Sequence, residues 1–210
     1  MLAELLVGDN LHVCLDRIVR EGSLLPNIAL AQKQAEEALD IAPLQALISL
    51  MERLQSEKGL TAETATAYFE RWGLAQEQDI AFLRLGFEKY FGGDHVCVLH
   101  ILVPRYEAIL RSIFEAVGTA TYRSRRTLAG AEFEPLGGFL NKPEVKGVLR
   151  DDLRTYIGLV LAEQHGWNLR NRIAHGLVRR EECTALQSTT VFHLLLLLTL
   201  FTTTGEDEEE

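Results

Sequence analysis

The sequence predicts an all-α protein. Three observations carry that expectation. Apolar residues recur at helical spacing along most of the chain, residues suited to helix starts and stops bracket the periodic segments, and no stretch alternates apolar with polar residues long enough to argue for a sheet. With 47% apolar and 24% charged residues over 210 positions, the composition is that of a folded chain able to bury a real core.

The elements follow in order. Leu30 to Asp40 and Pro43 to Lys58 carry apolar residues at helical spacing with Glu and Gln between them; Pro26 and Pro43 suit first-turn positions and Gly59 a stop. Thr61 to Trp72 reads as a helix closed by Gly73, and Gln76 to Phe91 as one ending at Gly92-Gly93. Asp94 is an N-cap for a long helix running to about Val117, with Pro104 inside it as a point where it can kink. Thr119 to Lys142 holds Gly130, Pro135, Gly137 and Gly138 with few periodic apolar positions, and reads as a loop or irregular connector. Pro143 to Leu149 suits a short helix. Asp151 to His165 is amphipathic, with Leu153, Ile157, Val160 and Leu161 as its inner stripe and Gly166 as punctuation. Trp167 to His175 is helical, and Gly176 either caps that helix or is absorbed into a longer one. Thr184 to Thr203 is apolar nearly all round in its second half, which predicts a central helix. A soft boundary near Gly73 to Gln78 divides a helical N-terminal extension, 1–75, from a helical bundle, 76–205, and an acidic tail closes the chain at 206–210.

Several function classes drop out. Cys14, Cys97 and Cys183 are odd in number and widely spaced, which suggests neither a disulfide framework nor a zinc ribbon and fits a reducing compartment. Met1 to Val7 carries Glu4 and no basic leader, so it does not read as a signal peptide, and a cytoplasmic location is expected. The most apolar run, Val191 to Phe201, is too short for a bilayer, which needs about 20 residues. Net charge is −9, of which −5 belongs to Glu206–Glu210, so a general nucleic-acid coat is a poor fit. Between Lys146 and Arg180, however, seven basic residues face three acidic ones, which leaves room for a local phosphate site, although charge alone favours arginines that simply solvate helix faces. Nucleotide-binding glycine loops, the Gly-x-Ser-x-Gly elbow and His-Glu-x-x-His are all missing. His95 and His100 project roughly 140° apart on a helix turning about 100° per residue, a poor arrangement for sharing a metal. His193, amid leucines, reads as a core histidine. Neither a metal nor a cofactor is expected.

The chemistry concentrates in Arg170-Asn171-Arg172-Ile173-Ala174-His175-Gly176. On a helix Asn171 and His175 share a face, and Arg170 can reach around to them. A planar cation, a polar orienter and a group titrating near neutrality form a minimal kit for cleaving RNA without metal. The 2′-hydroxyl supplies the nucleophile, histidine moves protons, and arginine stabilises charge on the phosphoryl oxygens. The bland alternative is a helix-capping histidine beside a surface arginine. Upstream, Glu107 and Arg111 stand four apart. That spacing suits an intrahelical ion pair of about 0.3 kcal/mol, or a brace behind the motif.

Leu169 to Leu177, taken with the upstream segment Asp94 to Glu107 and Leu110-Arg111, resembles the HEPN superfamily, in a branch of uncharacterised domains. The resemblance spans roughly Phe87 to Phe201. It implies a HEPN-like bundle of four or five helices and a metal-independent endoribonuclease of toxin–antitoxin or antiviral defence systems. It also implies an RNA substrate, a homodimer that brings two motifs together, and an antitoxin or regulatory protein as partner. Carried over, the catalytic positions are Arg170, Asn171 and His175. Arg172, Arg179 and Arg180 are candidates for RNA phosphates, and Glu107 and Arg111 for support behind the site. Where the toxins paired with a nucleotidyltransferase carry a tyrosine two residues after the histidine, this chain has Leu177, so control through such a tyrosine is not implied. The competing expectation is a non-catalytic helical module for dimerisation or for binding a nucleotide or protein. A further reading makes the chain the C-terminal part of a larger protein.

Overall fold

The structure, a computed structural model, describes residues 41–124 and 131–202. The expected helix at Leu30 to Asp40, Cys14 and the acidic tail lie outside the described residues. Within them the protein is all-α apart from one small ribbon, with nine α-helices: α1 (Ile41–Lys58), α2 (Ala62–Trp72), α3 (Glu77–Phe91), α4 (His95–Ala116), α5 (Leu136–Leu140), α6 (Pro143–Val148), α7 (Asp151–Leu161), α8 (Leu169–Ala174) and α9 (Ala185–Leu198).

Local chemistry sets the helix starts. The Thr61 hydroxyl accepts from the Thr64 amide and the Thr64 hydroxyl takes the Thr61 amide in return, closing a capping box on α2. Asp94 accepts from the Cys97 amide at 3.2 Å and starts α4. Thr184 and Gln187 form the same reciprocal cap on α9. Pro104 lies inside α4 on an exposed position, where the backbone acceptor it strands can reach water.

α9 is the axis of the fold. Every residue from Ser188 to Leu198 is buried, because α9 is enclosed on all sides. Phe192 packs on Phe87 of α3 at 4.7 Å between ring centroids, and Tyr90 donates to or accepts from Thr189 at 2.9 Å. α1 and α2 enter the same core: Leu47, Met51, Leu54 and Phe69 belong to one cluster with the α4 and α9 side chains. The Trp72 indole donates to the Phe201 carbonyl at 2.8 Å, tying α2 to the chain beyond α9. The α3–α4 crossing is close at Gly86, where a Cβ would fall 2.2 Å from Leu102.

The described residues between Thr119 and Lys142 are not the loop or irregular connector the sequence suggests. Tyr122–Ser124 (β1) and Ala131–Phe133 (β2) pair antiparallel with Tyr122 opposite Phe133, and α5 follows with Leu136, Phe139 and Leu140 buried. The reason is tertiary. The Arg111 guanidinium on α4 donates to the Thr121 and Glu134 carbonyls at 3.4 and 2.6 Å, and Phe114 packs edge-on to Phe139 at 5.6 Å. Two short strands that would not persist alone are bolted to a buried helix.

A second difference positions the motif. α7 ends at Leu161 rather than continuing to His165. The chain turns back, the Trp167 amide donates to the Leu159 carbonyl at 2.8 Å, and Gly166 passes so close that a Cβ would lie 2.0 Å from that same oxygen. Asn168 adopts a left-handed conformation, φ 53°, and α8 begins one residue later. No helix among the described residues is long and apolar enough to cross a membrane.

Candidate functional site

α8 is short, and its C-terminal end is capped by the backbone. At its C-terminus the Gly176 amide donates to Ile173 at 3.0 Å and the Leu177 amide to Arg172 at 2.7 Å, with Gly176 at φ 65°. This is a Schellman motif, so His175 is the C-cap and Gly176 terminates the helix. At its N-terminal end the Asn171 amide group donates to the Ala162 carbonyl at 3.1 Å and to Asn168 Oδ1 at 2.7 Å. It thereby takes the carbonyl of the residue that caps α7.

Arg170 points back to α4. Its Nε donates to Glu107 Oε2 at 2.6 Å and its Nη2 to Oε1 at 3.3 Å, while Nη1 reaches Asn171 Oδ1 at 3.2 Å. The other flank of Glu107 accepts from Arg111 at 2.6 and 3.0 Å. One carboxylate therefore serves two guanidinium groups, and the trio carries a net positive charge. Burial is graded across it: side-chain exposure is 6% for Arg111, 11% for Glu107 and 29% for Arg170. The outermost cation is the one nearest solvent, where an anion could meet it.

His175 is exposed, and its ring makes no side-chain hydrogen bond among the described residues. Its helical position is one step beyond the last α8 residue, so Asn171 and His175 are divided in their surroundings: the amide faces the α7–α8 turn and the imidazole faces water.

The three neighbouring arginines are not alike. Arg172 Nη2 donates to both oxygens of Glu182 at 2.8 Å and, weakly, to the Leu177 carbonyl at 3.4 Å. Glu182 also accepts from the Arg179 amide at 2.8 Å. Arg172 first and the Arg179 amide second hold the Glu182 carboxyl down to about 2. Arg172 thus closes the 177–182 turn. Arg179 is largely exposed, with only long contacts of 3.6 Å to Glu181 and Glu182, and Arg180 is exposed with no side-chain partner among the described residues.

The sequence singles out neither Asn168, Glu182 nor the Ala162 carbonyl, although each fixes the motif. A conspicuous Gly-Trp-Asn punctuation at 166–168 was the available signal for the turn. Among the described residues no three His, Cys, Asp or Glu side chains gather in a group that could hold a metal. No protein-family model, curated protein or solved structure matches the chain.

Proposed function

We propose that the chain is a HEPN-type, metal-independent endoribonuclease that works as a homodimer, in the manner of a toxin or antiviral effector. The observation that supports this reading best is the division of labour on α8. Arg170 is held partly exposed by a buried carboxylate, and His175, at the end of the same helix, is exposed and unengaged.

In this reading Arg170 faces the non-bridging oxygens of the scissile phosphate, where charge builds in the transition state. The 2′-oxygen bonds to phosphorus, the bond from phosphorus to the 5′-oxygen breaks, and a 2′,3′-cyclic phosphate is left. One histidine removes the 2′ proton and another protonates the departing 5′-oxygen. A single protomer offers one such histidine in its motif, so the second comes from the motif of a second copy across a two-fold axis. Asn171 acts by fixing the α7–α8 turn and the Arg170 fork. Arg179 and Arg180 are the exposed cations for flanking phosphates, and Arg172 keeps their segment folded.

The rival reading is a helical interaction module. One observation favours it: Arg170, Asn171 and Gly176 each have a complete structural role within one protomer. The experiment is cleavage of single-stranded and structured RNA in EDTA by the wild type, His175→Ala and Arg170→Ala, with circular dichroism as the fold control. Cleavage lost in both variants with the helical signal retained supports the nuclease. Absence of cleavage by the wild type across varied RNAs transfers the weight to the module.

A further inference from the structure

Outside the motif, two of the large apolar side chains left most open to water touch one another. Tyr122 and Phe133 are 49% and 52% exposed, and their rings stack at 4.3 Å with 27° between the planes. They are direct partners across the ribbon, so both project from one face of it. A stacked aromatic pair half in water offers π-surface that a planar, weakly hydrated group can cover.

The pair is mechanically continuous with the motif. Thr121 and Glu134, the residues flanking the two rings in sequence, give their carbonyls to Arg111, and the Glu134 amide donates to Thr121 at 3.0 Å to close the base of the ribbon. Arg111 sits 5.3 Å from the Phe133 ring centroid and binds the same Glu107 carboxylate that holds Arg170. The aromatic platform and the partly exposed cation of the motif are thus joined through one ion-pair trio, Phe133 to Arg111, Arg111 to Glu107 and Glu107 to Arg170. The trio is net cationic, and its most exposed member, Arg170, suits an anionic backbone.

We infer that Tyr122 and Phe133 form a stacking platform for an unpaired nucleobase of single-stranded RNA, next to the phosphate held at Arg170. The inference rests on the ribonuclease reading for the neighbouring phosphate, but binding can be measured apart from cleavage. Stacking reads any base through its π-face, so the platform selects strandedness rather than sequence. A duplex, whose bases are already stacked on one another, has no free base to present.

The test uses the full chain and a short single-stranded RNA carrying 2-aminopurine, with 2′-fluoro groups throughout so that it binds without being cut. Wild-type protein should bind it, change the 2-aminopurine fluorescence as the base stacks, and bind the matching duplex more weakly. Tyr122→Ala and Phe133→Ala should each weaken binding by about five- to a hundredfold and remove the fluorescence change. Tyr122→Trp should keep both, which separates loss of stacking from loss of the ribbon. Circular dichroism should be unchanged throughout. Failure of the wild type to bind, or alanine variants that bind and stack as the wild type does, would overturn the platform. Alanine variants that instead split a dimer while leaving RNA affinity intact would overturn it in favour of a second copy of the chain on that face. Cleavage of unmodified RNA, measured beside it, judges the nuclease reading on its own.

Discussion

Glu107 and Arg170 lie 63 residues apart in the chain and 2.6 Å apart in space. That contact joins the long helix α4 to the short motif helix α8. It turns what looks in sequence like a local i, i+4 pair, Glu107 with Arg111, into a shared support for two cations. Removing one partner of a buried charge pair leaves the other uncompensated, which is far more damaging than losing an exposed pair.

Glu107→Ala should therefore cost roughly 3–5 kcal/mol, because Arg111 is then buried without its carboxylate. Arg170→Ala should cost much less, since its side chain is 29% exposed and Glu107 keeps Arg111. Urea unfolding midpoints of the two variants check the order. Equal losses would show that Glu107 does not act as a shared support.

The core makes a pH prediction. His193 on α9 is buried and shares a hydrogen bond of 3.2 Å with the Tyr156 hydroxyl, and burial lowers its pKa from 6.5 to about 4. The folded state thus holds the ring neutral while the unfolded chain protonates it. The contribution of the neutral ring is complete above pH 6.5 and is lost as pH drops from there toward about 4, by about 3 kcal/mol. His193→Phe should flatten that slope, whatever it does to stability at neutral pH. Urea midpoints across this window give the comparison, and an unchanged slope in the variant would remove His193 as the cause.

Gly166→Ala should disturb the site without touching it. The new methyl would meet the Leu159 carbonyl at 2.0 Å, and backbone on both sides leaves nothing flexible to yield. A loss of about 1–3 kcal/mol is expected from forced overpacking. Faster amide exchange at Trp167, whose N–H donates to Leu159, would mark the place.

Gly176→Ala tests the end of α8. At φ 65° a Cβ costs about 1 kcal/mol, and Gly176→Asn should recover part of it. If the cap holds His175 in its exposed position, the alanine variant should also lose RNA cleavage out of proportion to its stability. Parallel melts and cleavage assays decide this.

Much of the helical frame was legible because helices announce themselves locally. Thr61, Asp94 and Thr184 cap where their side chains reach an amide three residues on, and Gly73 stops α2 by adopting φ 76°. The apolar run of α9 implied a central helix, and from Ser188 to Leu198 it is enclosed. The ribbon was not legible. Its strands are three residues each, and the donors that secure them come from Arg111, 10 and 23 residues away. The early end of α7 was hidden for the same reason, since its last carbonyls are taken by Trp167 and Asn171 of the returning chain.

The sequence by itself determined where the longer helices start, which of them is the axis, and that Arg170, Asn171 and His175 come from one short segment. These depend on periodicity and on contacts within a turn or two. Tertiary structure alone decided that Arg170 meets Glu107, that Arg172 meets Glu182, that Asn171 faces the α7–α8 turn, and that His175 is left in water. Each of those depends on which buried carboxylate or carbonyl lacks a partner once the helices pack. Unsatisfied polar groups in a core are matched across space, not along the chain.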